Sequence, residues 1–412
     1  MIKMKNLIDV ISMGPFGSDI KVEFFVDEGV PVLNGANISS VKLTEESFRY
    51  VTEAKADSLK KAIATPGDIV VTHRGTLGQI AYIPKNASHQ RYVISQSQFR
   101  VKLKAEYVDY RFFTYYFHSP EGQRRLLANK SYVGVPALAQ ATTNFRLIDF
   151  PMKSLKTQKK IADVLSTLDA KIDLNNRINA ELESLARTIY DYWFLQFDFP
   201  GADGRPYRSS GGEMKLDVET GWMIPKNWDI RSLADIANIT MGQSPPGASL
   251  NLDKNGTVFY QGCTDFTDRF PVNRLFTTEP KRMAVAGDIL LSVRAPVGTL
   301  NIANEDCCIG RGVAALSSKT GHDDFLFYVL SYLKTVFDRR NTDGTTFGSI
   351  TKADLHSLKV VVPPIEVLDN FRSLVNSGSE MINNNSYESR HLSALRDWLL
   401  PLLMSGEVVV EE

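Results

Sequence analysis

A chain of 412 residues is too long for one ordinary hydrophobic core, so two or three domains are expected. Its 43% hydrophobic and 23% charged residues suit a folded globular protein, and runs such as WLLPLLM (398–404) are too short to span a bilayer. The N-terminus MIKMKNLIDVIS lacks a signal-peptide pattern, so a cytoplasmic protein without membrane attachment is expected.

The formal net charge is zero, but it is unevenly spread. Residues 1–156 carry 21 basic against 14 acidic side chains (+7), and 157–224 carry 8 against 11 (−3). Residues 225–365 carry 15 against 14 (+1), and 366–412 carry 3 against 8 (−5). Neutral-to-basic blocks alternate with acidic ones, so a zero total does not exclude a nucleic-acid partner. Cys263 stands alone and Cys307 and Cys308 are adjacent, which suits reduced cysteines near a core. No metal, cofactor or small-molecule substrate is expected.

In chain order, KNLIDVISMGPFGS (5–18) predicts a short helical stretch running into a glycine turn, and VPVLNGANI (30–38) a strand. PGDIVV begins a turn and a buried strand, EYVDYRFFTYYFHS (106–119) reads as an aromatic-rich helix, and FRLIDFPMKSL (145–155) as a strand entering a long helix. The stretch 197–228, rich in Gly, Pro, Ser and Asp, reads as an irregular connector. The same order then returns: RSLADIANITMGQSPPG (231–247), TVFYQGCTDF (257–266), AGDILL, DDFLFYVLSYLKTVF (323–337) and LHSLKVVVPPI (355–365). Gly67, Asp68, Ile69, Arg74 and Gly78 recur as Gly287, Asp288, Ile289, Arg294 and Gly298, each shifted by 220. An α/β unit of roughly 200 residues is duplicated.

From Gln158 to about Leu195 there is neither Gly nor Pro. Alternate steps of four and three give Ile161, Leu165, Leu168, Ile172, Asn175, Asn179, Leu182, Ala186, Ile189 and Trp193, a heptad seam. At ~1.5 Å per residue this makes a rod of roughly 57 Å. The second seam, shifted by 210, is Phe371, Val375, Gly378, Ile382, Asn385, Ser389, Leu392, Arg396, Leu399 and Leu403, with Gly378 and Arg396 as defects. Asn175, Asn179, Asn385 and Ser389 fall near the midpoints. In an antiparallel pair, equivalent positions meet only there, so these polar residues would face each other and set register.

The arrangement resembles the DNA-specificity subunit of type I restriction–modification systems. The resemblance is carried by LIDFPMKSLKTQKKIADVLSTLDAKIDLNNRI (147–178), its counterpart LKVVVPPIEVLDNFRSLVNSGSEMINNN (358–385), GWMIPKNW (221–228) and LRDWLLPLLMSGEVVV (395–410). It covers essentially the whole chain. The family's Pro-Pro-Leu-x-x-Gln junction is altered: the first copy keeps only Gln158, and the second keeps Pro363 and Pro364 but has Leu368 at the Gln position.

The resemblance implies an α/β (α+β) fold with two similar globular target-recognition domains. Two long antiparallel coiled-coil-like helices would separate them, in a pseudo-two-fold internal repeat. The expected bounds are 1–155 and 225–365 for the recognition domains, 156–199 and 366–412 for the spacer helices, and 200–224 for the connector. It further implies double-stranded DNA with a bipartite asymmetric target, two methyltransferase (modification) subunits, and restriction (motor and nuclease) subunits joined through them. The chain itself would catalyse nothing.

Reading DNA needs cations on phosphates and hydrogen-bonding side chains on base edges. Candidates in the first copy are Lys21 in GPFGSDIK, Asn34 and Asn37 in NGAN, Arg74 and Thr76 in HRGT, and Gln96 and Gln98 in SQSQ. Lys130, Tyr132, Thr142 and Asn144 in NKSYVGVPALAQATTN (129–144) complete that set. In the second they are Ser244, Gln261, Arg294, Arg311, and Arg340, Asn341, Thr345 and Thr346 in RRNTDGTTFGS (339–349). Arg74 and Arg294 are repeated, so they suit a phosphate or an internal carboxylate such as the repeated Asp better than a base. Sequence-specific contacts are expected from what differs, chiefly 129–144 and 339–349. The stripe Phe112, Phe113, Tyr116, Phe117 reads as core.

No Walker-type phosphate loop, amino-methyltransferase motif or paired-carboxylate nuclease motif is seen. A type IIB/IIG-like restriction–methylation component would need such motifs. A heptad-driven structural dimeriser would leave the basic first block and the doubled polar loops unexplained.

Overall fold

The structure is a computed structural model that describes residues 1–131, 135–342 and 349–410, with the side chains of 18 and 335–342 left aside. The chain forms two compact units, Met1–Asp173 with Arg390–Glu412, and Leu174–Ser389. The mixed helix and strand content of the expected fold class is present, and the repeat extends to sheet topology.

Unit 1 holds a four-stranded antiparallel sheet in the order Ile8–Met13, Gln98–Leu103, Ile69–Thr72, Ile80–Tyr82. A second, five-stranded sheet runs Phe25–Val26, Arg49–Val51, Val30–Val32, Tyr92–Val93, Ile63–Ala64. Unit 2 repeats both. One sheet is Ala237–Met241, Val313–Ser318, Ile289–Ser292, Leu300–Ile302; the other is Leu250–Asn251, Phe276–Thr277, Thr257–Tyr260, Cys307–Ile309, Met283–Ala284.

The doubled phrase is a turn and a hairpin. Gly67 and Gly287 both adopt a φ of +94°, which favours glycine. The carboxylates that follow cap the turn, Asp68 accepting from the Thr65 N–H and Asp288 from the Val285 N–H. Burial raises the Asp288 pKa. Ile69–Thr72 and Ile289–Ser292 are then buried throughout, in the centre of each core.

The expected helix over 5–18 is instead a single 3-10 turn, Met4–Asn6, followed by the strand Ile8–Met13. The β-branched Ile8, Val10 and Ile11 pair with Gln98–Leu103, and sheet pairing overrides the local helical reading. Part of the 129–144 loop and the start of the strand expected over 145–155 form a helix, Ala141–Leu147, leaving only Asp149–Phe150 extended. The 197–228 stretch is also more than a connector: Phe197, Phe199, Ile224 and Trp228 are buried in the unit 2 core, and Phe199 packs on Tyr207 and Trp228. Phe112, Phe113, Tyr116 and Phe117 are buried in the unit 1 core.

The first long helix is Leu155–Tyr190, closed by a π-helical turn Asp191–Leu195, and the second is Ile365–Ser405. In unit 1, Ile161, Ala162 and Leu165 share a core with Leu400, Leu403 and Met404. In unit 2, Ala186, Tyr190 and Trp193 share one with Leu368, Phe371 and Val375. Within unit 2, Asn175 meets Ser389, Asn179 meets Ser386 and Tyr190 meets Phe371, so the helices run antiparallel there. Gln158, fully buried, accepts from the Asp109 N–H and donates to the Tyr107 and Lys153 carbonyls. Leu368, at the matching junction of unit 2, is buried by apolar packing instead.

Neither seam defect is a gap. Leu182 packs over Gly378, its Cδ2 3.7 Å from where a Cβ would lie, an ordinary van der Waals distance. Arg396 donates to Asp169 at 2.7 Å, and Asp169 also accepts from the Tyr115 hydroxyl at 2.5 Å. Burial next to that carboxylate pushes the Tyr115 hydroxyl pKa far up.

At the outer end of the unit 2 helix pair, near the midpoint of each long helix, Asn175 is fully buried and donates to Ser389 Oγ at 3.3 Å and Glu388 at 2.8 Å. Asn385 donates to Asn179 Oδ1 at 3.0 Å, and Asn179 to Ser386 Oγ. Asn175 Oδ1 is buried without a partner among the described residues, which costs about 1–3 kcal/mol. Replacing both Asn175 and Asn385 by Leu should therefore raise Tm while relaxing register. A disulfide introduced by Leu182→Cys and Gly378→Cys should form completely in the parent and only partly in the double variant, where slipped registers hold the two sulfurs apart.

Candidate nucleic-acid interface

In each unit the tip of the repeated hairpin joins a cluster of loops, and main-chain hydrogen bonds, with two glutamine side chains in unit 1, make the junctions. In unit 1 the His73 N–H donates to the Ser97 carbonyl, the Leu138 N–H to His73 O, and the Gly75 N–H to Pro136 O. Arg74 thereby bridges Ala137. The Gln98 side chain donates to Asn34 O, and Gln79 to Gly35 O. In unit 2 the Val293 N–H donates to Gly312 O, the Gly312 N–H to Gln261 O, and the Ile350 N–H to Val293 O. Arg294 there bridges Ser349.

Two glycines make this possible. A Cβ on Gly14 would sit 1.9 Å from Ser95 O, and one on Gly242 would sit 2.2 Å from Gly310 O. Any side chain would push the backbones apart.

Matching hydrogen bonds give the correspondence between units. Leu33 N–H to Val93 O, with the Val32–Val93 and Phe259–Cys308 strand pairs, matches Asn34 to Gln261. Gly14 N–H to Gln98 O and Gly242 N–H to Val313 O match Gln96 to Arg311. The exposed rim is thus Asn34, Arg74, Thr76 and Gln96 in unit 1, and Gln261, Arg294 and Arg311 in unit 2. Ser244, half-buried, accepts from the Arg311 N–H at 3.4 Å.

Neither Arg74 nor Arg294 has an ion-pair partner among the described residues. The buried Asp68 pairs with Arg100 at 3.1 Å, so the internal-carboxylate alternative fails for Arg74. His73 donates from Nε2 to Gln96 O, and burial lowers its pKa, which favours the neutral ring.

Two candidates are corrected. Asn37 is 1% exposed; its Nδ2 donates to the Thr44 and Glu46 carbonyls and its Oδ1 accepts from the Asn34 N–H. Gln98 is 1% exposed, accepting from the Ser95 N–H while donating to Asn34 O. Both build the loop from inside and have no free edge for a ligand.

Lys21 pairs with Glu23 at 3.7 Å. Lys130, exposed, lies on a short strand paired with Ala137–Leu138. Thr142 and Asn144 lie on the Ala141–Leu147 helix, where Asn144 donates to Ala139 O. Tyr132, Thr345 and Thr346 lie outside the described residues, as do the side chains of Arg340 and Asn341.

The description "Type I restriction modification DNA specificity domain" fits residues 6–184 and 225–369, together most of the chain. The chain belongs to that family. A putative type I restriction enzyme MjaX specificity subunit from Methanocaldococcus jannaschii is 28% identical over 99% of this chain and 93% of its own length. The HindI specificity subunit of Haemophilus influenzae is 22% identical over 96% of this chain and 98% of its own. The type I restriction–modification S subunit of M. genitalium shares the fold, with a TM-score of 0.59, 16% identity and coverage of 100% and 96%.

Both rims fall inside the two specificity-domain segments. Sequence reasoning missed Gln79, whose amide links Thr72 Oγ1 to Gly35 O, and Arg49, exposed over the Phe25 ring. Gln79 lies inside the repeated phrase, but its contact at position 35 has no sequence signal. Among the described residues no cluster could hold a metal ion, and no helix is long and apolar enough to cross a membrane.

The glycine contacts are testable. Gly14→Ala should destabilise unit 1, and Gly242→Ala unit 2, by about 1–3 kcal/mol or more. Each should raise hydrogen exchange at the rim of its own unit only.

Proposed function

We propose that the chain is the sequence-specific DNA-binding specificity subunit of a type I restriction–modification enzyme, with each unit reading one half of a bipartite, asymmetric target on double-stranded DNA. It acts in the cytoplasm without chemistry of its own. It docks two methyltransferase subunits, and through them the restriction subunits. The length of the two long helices sets the number of unread base pairs between the half-sites.

The observation that carries this reading is the pair of rims: matching strand and loop register places Asn34 and Gln96 in one unit where Gln261 and Arg311 stand in the other. Arg at such a position suits guanine O6 and N7, whereas an amide suits adenine N6 and N7. The shared Arg74 and Arg294 have the character of phosphate contacts, which position a protein without carrying sequence information. On this assignment an equal frame supplies equal docking, and the unequal side chains supply two different half-sites.

Methylome sequencing of a host carrying single variants tests the reading. Gln96→Ala should relax one half-site and Arg311→Ala the other, each by about 5–150-fold in discrimination. Changes in the same half-site, or in neither, would sink the assignment. Inserting four residues after Asn179 should lengthen the unread spacer and leave both half-sites intact. An unchanged spacer would remove the ruler.

A further inference from the structure

In unit 1 a cavity of about 350 Å³ opens beside the rim. Phe25 and Val32 supply apolar wall, while Phe16, Asn34, Arg49 and Gln96 bring an aromatic ring, two amides and a cation. The volume is ample for one planar heterocycle, since an engineered cavity of about 150 Å³ holds benzene.

Four features of this lining point to a ligand that is flat, polar at its edge and attached to negative charge. Phe16 is 82% exposed, on a loop between Pro15 and Gly17, so its ring faces solvent at the mouth. The Arg49 guanidinium lies 5.3 Å from the Phe25 ring centroid and is exposed, with no carboxylate partner among the described residues. A planar cation thus lies over an aromatic wall, a pairing that also stacks on nucleobases. The Asn34 Oδ1 is occupied by the Ala36 N–H, which leaves its Nδ2 as a donor. Gly17 leaves room for the Gln96 amide, whose Oε1 would be 2.5 Å from a Cβ there.

The same set is not repeated. Strand register matches Arg49 to Leu275, and loop register matches Phe16 to Ser244. With Gln261 for Asn34 and Arg311 for Gln96, all four ligand-facing positions differ between units. They belong to the unrepeated part of the chain, where half-site identity must lie.

We infer that unit 1 takes one unstacked base of its half-site into this cavity. Arg49 covers a face of the base, the Asn34 and Gln96 amides meet its edge, and Phe16 fills the gap left in the duplex. This rests on the rim being the DNA-reading surface. An enzyme or reader that extrudes a base must offer both a pocket for it and a filler for the stack, and this lining holds both.

The test uses the assembled specificity–methyltransferase complex and duplexes carrying 2-aminopurine. The probe is placed at one position at a time in the unit 1 half-site, away from the base that the methyltransferase modifies. One position should brighten severalfold on binding. Phe16→Ala or Arg49→Ala should abolish that rise and weaken binding about tenfold, the cost of one lost base-stacking contact. Phe16→Tyr should restore both, which separates stacking from folding. Specific binding with no brightening at any position, or brightening indifferent to Phe16 and Arg49, would overturn the base pocket while leaving the DNA-reading assignment standing. Absence of sequence-specific binding by the parent complex would overturn both.

Discussion

Main-chain hydrogen bonding around the repeated hairpin is the constraint on which the rest of each unit depends. The Gly67 and Gly287 turns deliver a wholly buried strand into the centre of a four-stranded sheet. The hairpin tips are then tied to neighbouring loops through carbonyls and N–H groups. Main-chain contacts tolerate side-chain change. A rim built this way can keep its shape while exposing Gln96 in one copy and Arg311 in the other. Where a side chain does serve the frame, as with Asn37 and Gln98, it is buried and fully engaged.

The long helices follow a different logic, because their partners are side chains. Apolar layers supply adhesion in each unit, and polar contacts supply register. Asn175 with Ser389 and Asn385 with Asn179 meet at the outer end of the unit 2 pair, while Arg396 with Asp169 meets in unit 1. A fully apolar seam would slide by a heptad at little cost, whereas a slip of this one would strip Asn175, Asn385 and Arg396 of the partners they have. The helices therefore trade some stability for one alignment.

Much of this was legible in the residues. The two helices and the aromatic core stripe follow from periodicity, because burial imposes a period wherever one face meets solvent, while the recurring phrase gives the repeat and the polar residues at both helix midpoints point to the antiparallel sense. The strand Ile8–Met13 was not legible, since LIDVIS suits either a helix or a strand until its partner Gln98–Leu103 is known. The packed connector was hidden for a similar reason. Its glycines and prolines signal turns, while Phe199 and Trp228 find each other only in the folded core.

For the site, the sequence by itself determined which residue types were on offer and that specificity should sit outside the repeated phrase. Only the tertiary structure decided which of them reach the surface. Asn34 and Asn37 are three residues apart in one loop, yet one faces outward and the other is sealed within it. Gln96 and Gln98 divide in the same way. Nothing in amide chemistry separates them. The direction of each side chain is set by strand pairing and by glycine contacts with residues as far away as position 95 from position 14, and such distant partners leave no local pattern.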